Sequence, residues 1–514
     1  MNKKHPSGPF SREALTRLDG AENGSETSQP VTLNPIASQV AHQYRRDTIS
    51  PVMVSGLLRI AEFGLVLVSG LVIFAVYVGI QTHLAYVYPL VILAGALLYV
   101  VLIEMTDGYQ VMALRSPAHY VGRLLLAWIG VFAMLALTGF LMKISIEYSR
   151  FWFVTWFCTG LAMLVVLRFI IARKIRGWAR NGTMERRAVI VGGGKNAEDL
   201  IRSLEQQPDN DIRICGIFDD RDNRRSPPIV AGYPKLGNIS ELIEFARIAH
   251  IDMLIVSLPL TAEARVLSML KKLWVLPVDI RLSAHTNHLR FRPRAYSYIG
   301  AVPMLDIFDK PINDWDYVAK RAFDIVFSLL GIIVFSPIML LTAIAIRLES
   351  KGPVIFKQQR HGFNNEIIKV WKFRSMYIEQ CDPTARKTVT KNDPRVTRVG
   401  RFIRKTSIDE LPQFFNSLVG TLSLVGPRPH AIAAYSHNLL YNEVVDGYFA
   451  RHKVKPGVTG WAQINGWRGE IDNAEKIKMR TEFDLYYIEN WSLWFDLKIL
   501  FLTPIRLLNT DSAY

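Results

Sequence analysis

Apolar residues gather into four long blocks in the first third of the chain: Val52–Ile80, Tyr86–Ile103, Leu124–Met142 and Phe151–Ile171. Each has roughly the 17–25 residues that cross a bilayer as a helix. Their short connections predict a membrane bundle over residues 51–175 rather than buried core helices. A Ser/Asn/Gln/Thr-rich stretch precedes them, read as a disordered polar tail over residues 1–50, without the early apolar core of a signal peptide. Basic residues set the orientation: Arg45 and Arg46, Arg115 and Arg123, and Arg173, Lys174, Arg176 and Arg180 mark cytoplasmic ends. Arg59, Glu62 and Arg168 lie inside or beside the spans and are expected to snorkel or pair.

The pattern then shortens. Arg187-Ala-Val-Ile-Val-Gly192-Gly-Gly194-Lys-Asn-Ala197 reads as strand, glycine turn and helix start, and strands recur at Ile212–Phe218 and Met253–Ser257. This predicts an α/β Rossmann-like domain of nucleotide-binding type over residues 183–316, with Gly192, Gly194 and Ala197 as the cofactor-binding positions. Glycine turns also serve plain strand-to-helix packing, so the fold is better specified than its ligand. A fifth apolar block, Ala322–Ile346, is interrupted by Ser336-Pro337, where proline removes a helix hydrogen bond. Lys320 and Arg321 precede it and Arg347, Lys351, Lys357 and Arg360 follow, so both flanks read as cytoplasmic. A re-entrant membrane helix over residues 317–350 satisfies both flanks; a straight span does not.

Composition adds two constraints. Half the residues are hydrophobic although the formal charge is +16, which suits a membrane protein with basic soluble parts facing anionic partners. Cys158, Cys215 and Cys381 lie far apart with no CxxC, which points to a reduced, cytosol-facing protein without a zinc site.

The chemistry concentrates in residues 351–485, which are dense in Arg, Lys, Gly and Pro. Asp409-Glu410 follows Arg404 directly and precedes the turn Val425-Gly-Pro-Arg428-Pro, whose prolines would fix an arginine in place. Ser407 and Glu410 have the spacing of a capping box, or Asp409 is itself the cap with Pro412 in the first turn; either register puts Asp409 at a helix N-terminus. Capping alone explains many such carboxylates. A dyad set among arginines points instead to phosphate chemistry, with the surrounding arginines or a divalent cation offsetting repulsion between carboxylate and substrate.

Three runs carry a resemblance: Arg404-Lys-Thr-Ser-Ile-Asp-Glu-Leu-Pro-Gln-Phe-Phe-Asn416, Gly420-Thr-Leu-Ser-Leu-Val-Gly-Pro-Arg-Pro429, and Lys455-Pro-Gly-Val-Thr-Gly-Trp-Ala-Gln463-Ile-Asn465-Gly466. Together they resemble the bacterial sugar transferases, polyprenyl-phosphate hexose-1-phosphate transferases, in their large membrane form. The resemblance implies a monotopic phosphoglycosyl transferase catalytic domain of α/β type that uses a UDP-sugar, undecaprenyl phosphate and Mg²⁺. It implies Asp409 as nucleophile and Glu410 as its partner, both at the metal, with Arg404 and Arg428 on phosphate. Arg374, Gln463 and Asn465 fall in family motifs as further substrate-binding positions. It places the chain in the bacterial inner membrane, in exopolysaccharide or capsule assembly, with membrane lipids as partners, no nucleic acid, and room for a homodimer. Gly466-Trp-Arg-Gly-Glu470 is closer to the glucose-type large members than to the small ones.

Residues 486–514 carry tryptophans, apolar residues and a few charges at helical spacing, and predict an amphipathic interfacial helix. Two rival functions remain. A nucleotide-sugar dehydratase needs a Tyr-x-x-x-Lys pair, which the chain lacks. A non-catalytic scaffold or sensor in polysaccharide export has no use for the acidic dyad and its arginines.

Overall fold

The computed structural model describes residues 32–45, 50–79, 86–109, 117–143, 149–180, 184–206, 212–222, 226–258, 263–283, 296–299, 302–378, 393–430, 435–436, 439–440, 448–467 and 474–508. Two compact units emerge, Asp47–Arg186 and a second made of Met1–Arg46 with Arg187–Tyr514. The expected tail is not disordered throughout. Helix α1, Pro35–Gln43, starts where the Asn34 side chain accepts from the Ala37 amide and proline takes the first turn. It buries Ala37 and Ala41 against the α/β core, and Tyr44 stacks under Arg187. Leu33, Val40 and Tyr44 pack beside them, yet so short an apolar set is too weak a pattern to stand out in a polar sequence.

In the first unit, α2 (Pro51–Ile73), α3 (Val87–Met105), α4 (Pro117–Leu141) and α5 (Arg150–Arg180) supply four candidate membrane spans. Their core is aromatic, with Trp128, Trp152 and Trp156 fully buried. Glycines make room for the indoles: a Cβ on Gly70, Gly95 or Gly160 would lie within 2.9 Å of an indole carbon. The intramembrane charges pair as expected. Arg168 Nε donates to Glu62 Oε1 at 2.6 Å, and the hydroxyls of Tyr99 and Tyr109 donate to Glu62 Oε2. Arg59 reaches Glu104 at 2.8 Å. Unpaired, such charges would be costly in hydrocarbon.

The α/β part of the second unit holds β1 (Arg186–Val191), α6 (Lys195–Glu205), β2 (Ile212–Phe218), β3 (Ile229–Val230), β4 (Tyr233–Gly237), α7 (Ile239–Ile248), β5 (Met253–Val256), α8 (Glu263–Leu273), β6 (Asp279–Ser283), β7 (Tyr296–Ile299) and β8 (Val302–Phe308). The sheet order is β3-β4-β2-β1-β5-β6-β8-β7. Strand β2 with β4, β1 with β5, and β5 with β6 pair in parallel, and antiparallel strands close both edges. Alternate residues of β1, Val189 and Val191 against Ala188 and Ile190, enter separate cores on the two faces. A central strand buried on both sides reads as the continuous apolar run seen in the sequence.

Helix α9, Asp314–Glu349, is the fifth candidate span and continues through Pro337. Proline leaves the Ile333 carbonyl without its usual amide partner, and Ser336 Oγ donates to it at 2.8 Å. Ile333, Val334, Leu340 and Leu341 are exposed, while Met339 and Ile346 pack on Phe373 and Ile403 of the segment that follows.

That segment contains the antiparallel hairpin β9 (Ile355–His361) and β10 (Ile367–Phe373), then α10 (Arg398–Lys405), a 3₁₀ turn at Ile408–Glu410, and α11 (Gln413–Val419). Next come β11 (Ser423–Val425), the pair β12 (Tyr435–Ser436) and β13 (Leu439–Leu440), β14 (Gly457–Thr459), α12 (Trp461–Ile464), α13 (Ala474–Glu489) and α14 (Leu493–Leu508). The C-terminal helix therefore begins at Leu493, and Tyr486–Glu489 end the helix before it.

Candidate active site

Strand β11 pairs in parallel with β14, bringing the two glycine-proline motifs together. Gly426 N donates to Thr459 O and Gly457 N to Pro427 O, both at 2.9 Å. A Cβ on Gly457 would strike the Gly426 backbone, so this spacing requires glycine. The turn after β11 is thereby fixed, and it presents Arg428.

The acidic dyad arrives from the other side. Ser407 takes a left-handed conformation with φ 59°, breaking α10 from the 3₁₀ turn that carries Asp409 and Glu410. This conformation is costly for a residue with a Cβ and marks a constrained corner. Neither capping register forms. Ser407 makes no side-chain cap bond, and Pro412 occupies the cap position of α11 without one. Asp409 thus lies before that helix rather than capping it, because the left-handed corner turns the chain before the helix can begin.

Both oxygens of Glu410 meet cations. Arg428 forks onto it, with Nη2 at 2.5 Å from Oε1 and Nη1 at 3.2 Å from Oε2, and Lys372 Nζ lies 3.0 Å from Oε1. Burial disfavours its charge, but Arg428 and Lys372 hold its carboxyl well below the usual range. Asp409 makes no hydrogen bond or ion pair among the described residues. Burial pushes it up to about 6, with Glu410 adding to the rise and Lys372, Arg404 and Arg428 opposing it. Three cations therefore face two carboxylates, leaving a net positive site with one open carboxylate.

The other expected positions separate. Arg374 is not at the dyad: its buried guanidinium donates to the carbonyls of Ser350 and Lys351, closing the end of α9. Lys372, two residues earlier, is the residue the motif delivers to the site. Gln463 leaves its Oε1 buried without a partner, and Asn465 donates to Trp461 O on an exposed turn. Asn416 supports the site without touching the dyad: its side chain accepts from Trp371 N at 2.8 Å and donates to Lys369 O at 2.9 Å, tying β10 to α11. No group of three or more His, Cys, Asp or Glu that could hold a metal occurs among the described residues.

At the glycine turn, Gly192 and Gly194 have φ of 96° and 82°, and Ala197 is buried in α6. Gly193 N–H donates to Asp219 Oδ2 at 2.6 Å, Arg221 Nη2 donates to Gly193 O at 2.6 Å, and Ser226 fills the space over Gly193. Side chains of the domain itself, Asp219, Arg221 and Ser226, hold the loop at Gly193.

The Asp409 shift gives a testable sign. Its folded value lies above the ordinary 3.8, so ionising it costs stability fully above about pH 6 and not at all below 3.8. Asp409→Asn is therefore expected to melt no lower than the native chain at neutral pH, with any advantage gone in acid. In rapid-quench assays, single-turnover chemistry at Asp409 is expected to fall about tenfold per unit below pH 6 and to level off above it. A rate independent of pH there contradicts an ionising Asp409.

Residues 315–510 match the bacterial sugar transferase family, and residues 104–284 match a family described as a CoA-binding domain. The chain is similar to a UDP-glucose:undecaprenyl-phosphate glucose-1-phosphate transferase of Escherichia coli K12, at 38% identity over 84% of this chain and 90% of that one. Proteins with the same description from Klebsiella pneumoniae and Xanthomonas campestris are 41% and 33% identical. These alignments cover 70% and 89% of this chain, and 76% and 94% of theirs. With an acidic dyad neutralised by Arg428 and Lys372, and relatives aligned over nearly their whole length, the chain belongs to the bacterial sugar transferase family.

Proposed function

We propose that this protein transfers a hexose-1-phosphate from a UDP-sugar to undecaprenyl phosphate, releasing UMP, as the first step of exopolysaccharide or capsule repeat-unit assembly. Glucose is the hexose favoured, since it is the sugar named for the relatives above. One observation carries the reading: Asp409 is an open carboxylate beside a Glu410 whose charge two cations already offset.

The chemistry follows from that asymmetry. An ionised Asp409 oxygen attacks the β-phosphorus, the bond from phosphorus to the oxygen bridging the two phosphates breaks, and that oxygen leaves with UMP. A phosphosugar remains on Asp409. A phosphate oxygen of the lipid then attacks the same phosphorus and displaces the carboxylate, restoring the enzyme. Two displacements replace one, and the enzyme contributes mainly position and charge neutralisation. Arg404, whose charge acts on Asp409, and Arg428 would bind the diphosphate. Mg²⁺ fits this donor set, because it commonly takes one or two carboxylates together with substrate phosphates and water. Asp409 and Glu410 would hold it, and it would supply further neutralisation of the diphosphate.

The protein is a multi-pass inner-membrane protein with its soluble domains on the cytoplasmic side, where nucleotide sugars are made. We infer that α9 is re-entrant. Near its start Lys320 donates to Asp496 and Val425 O, near its end Glu349 accepts from the amides of Arg398 and Val399, and Phe414 stacks on Phe335 between. A straight span would separate those ends by about 30 Å of hydrocarbon, and the polar domain that binds both would have to cross with it. Helix α14 would lie at the interface: Trp494, Phe501 and Ile505 are exposed, while Asp496 and Ile499 are buried beneath.

Purified membranes are expected to release UMP from UDP-glucose faster than from other UDP-sugars. Release from none of a UDP-sugar panel returns the protein to a scaffold role. For topology, single cysteines at Glu366→Cys and Asp222→Cys, in a chain lacking the native three, are expected to resist an impermeant thiol reagent in intact cells. Both should react after permeabilisation; labelling of the Glu366→Cys protein alone in intact cells shows that α9 spans.

A further inference from the structure

The turn that presents Arg428 has a buried support that none of the chemistry above uses. Arg451 lies in the 3₁₀ segment Tyr448–Lys453 and is 1% exposed. Its Nη2 donates to the Arg428 carbonyl at 2.7 Å and to Asp484 Oδ2, on α13, at 2.5 Å. Its Nη1 lies 2.6 Å from Nδ1 of buried His430. Neighbouring carbonyls are held as well, Pro429 by Arg360 at 2.9 Å and His430 by the His361 amide at 3.3 Å. A surface loop would leave such groups to water. Here an arginine has been fully desolvated, and only an acidic partner makes that tolerable.

We propose that Arg451 and Asp484 are a positioning pair that sets where Arg428 delivers its guanidinium to Glu410 and to substrate phosphate. Asp484 fixes the Arg451 fork, Arg451 fixes the Arg428 carbonyl, and the two prolines flanking Arg428 transmit that constraint to its side chain. His430 supports the unit as a neutral ring, since burial and then the Arg451 charge hold it well below the usual histidine range. Nη2 serves the carbonyl and the carboxylate while Nη1 meets the His430 ring, so the single nitrogen of a lysine cannot fill both places. The proposal rests on the phosphate-binding role given to Arg428.

The test is a mutant cycle on the full-length enzyme in membranes, reading UMP release. Arg451→Lys and Asp484→Asn are each expected to lower kcat/KM by on the order of 10- to 100-fold, as small misplacements of a phosphate-binding group do. Adding Arg451→Lys to Arg428→Lys is expected to cost little more than Arg428→Lys alone. A merely structural role predicts losses that multiply, and that outcome overturns the proposal. If Arg451→Lys fails to fold, Asp484→Asn carries the same cycle. If Arg428→Lys is as active as the native enzyme, the role given to Arg428 fails and the positioning claim with it. Loss in Arg428→Lys without loss in either Arg451→Lys or Asp484→Asn overturns the positioning claim alone.

Discussion

The catalytic domain is organised around a repulsion. In the proposed reaction two adjacent carboxylates sit beside a diphosphate, and unscreened charges at such distances would keep nucleophile and substrate apart. The fork of Arg428 on Glu410, reinforced by Lys372, removes one of the two negative charges from the problem. Asp409 stays open, raised by burial with those cations opposing, while Glu410 stays ionised. Each surrounding element holds one member of this set. Strand β10 carries Lys372 and is tied to α11 by Asn416, the β11–β14 ladder carries Arg428, and the left-handed corner at Ser407 carries the dyad.

The same economy of charge governs the membrane part. Glu62 and Arg168 are buried only as a pair, with two tyrosine hydroxyls completing the carboxylate, and the indoles around them pack where glycines leave space. Long helix α9 is polar where it meets the catalytic domain and apolar between. Lys320 and Arg321 donate into the domain, and Ser336 repairs the defect that Pro337 makes.

Much of this was legible in the sequence because the signals were strong and local. The apolar blocks, the strands at Ile212–Phe218 and after Arg187, and the pairing of Glu62 all follow from burial and the cost of lone charge. What escaped depended on direction or on distant partners. In Lys372-Phe-Arg374 the resemblance singled out Arg374, and nothing local marked Lys372. Only the end of β10 at Phe373 decides that Lys372 meets Glu410 while Arg374 seals α9. The capping spacing at Ser407 was real in sequence, yet a left-handed residue overrode it. Helix α1 docks through Ala37, Val40 and Ala41 with Leu33 and Tyr44 at its ends, a set too short to declare itself without its partner sheet.

The central claim is that the phosphosugar is carried on Asp409. Incubating the purified enzyme with UDP-sugar labelled at the β-phosphorus, without lipid acceptor, then quenching and separating the protein measures it directly. The native chain is predicted to retain label that undecaprenyl phosphate then removes, and Asp409→Asn to retain none. Label retained equally by Asp409→Asn, or turnover with no labelled native protein at any time, would contradict it.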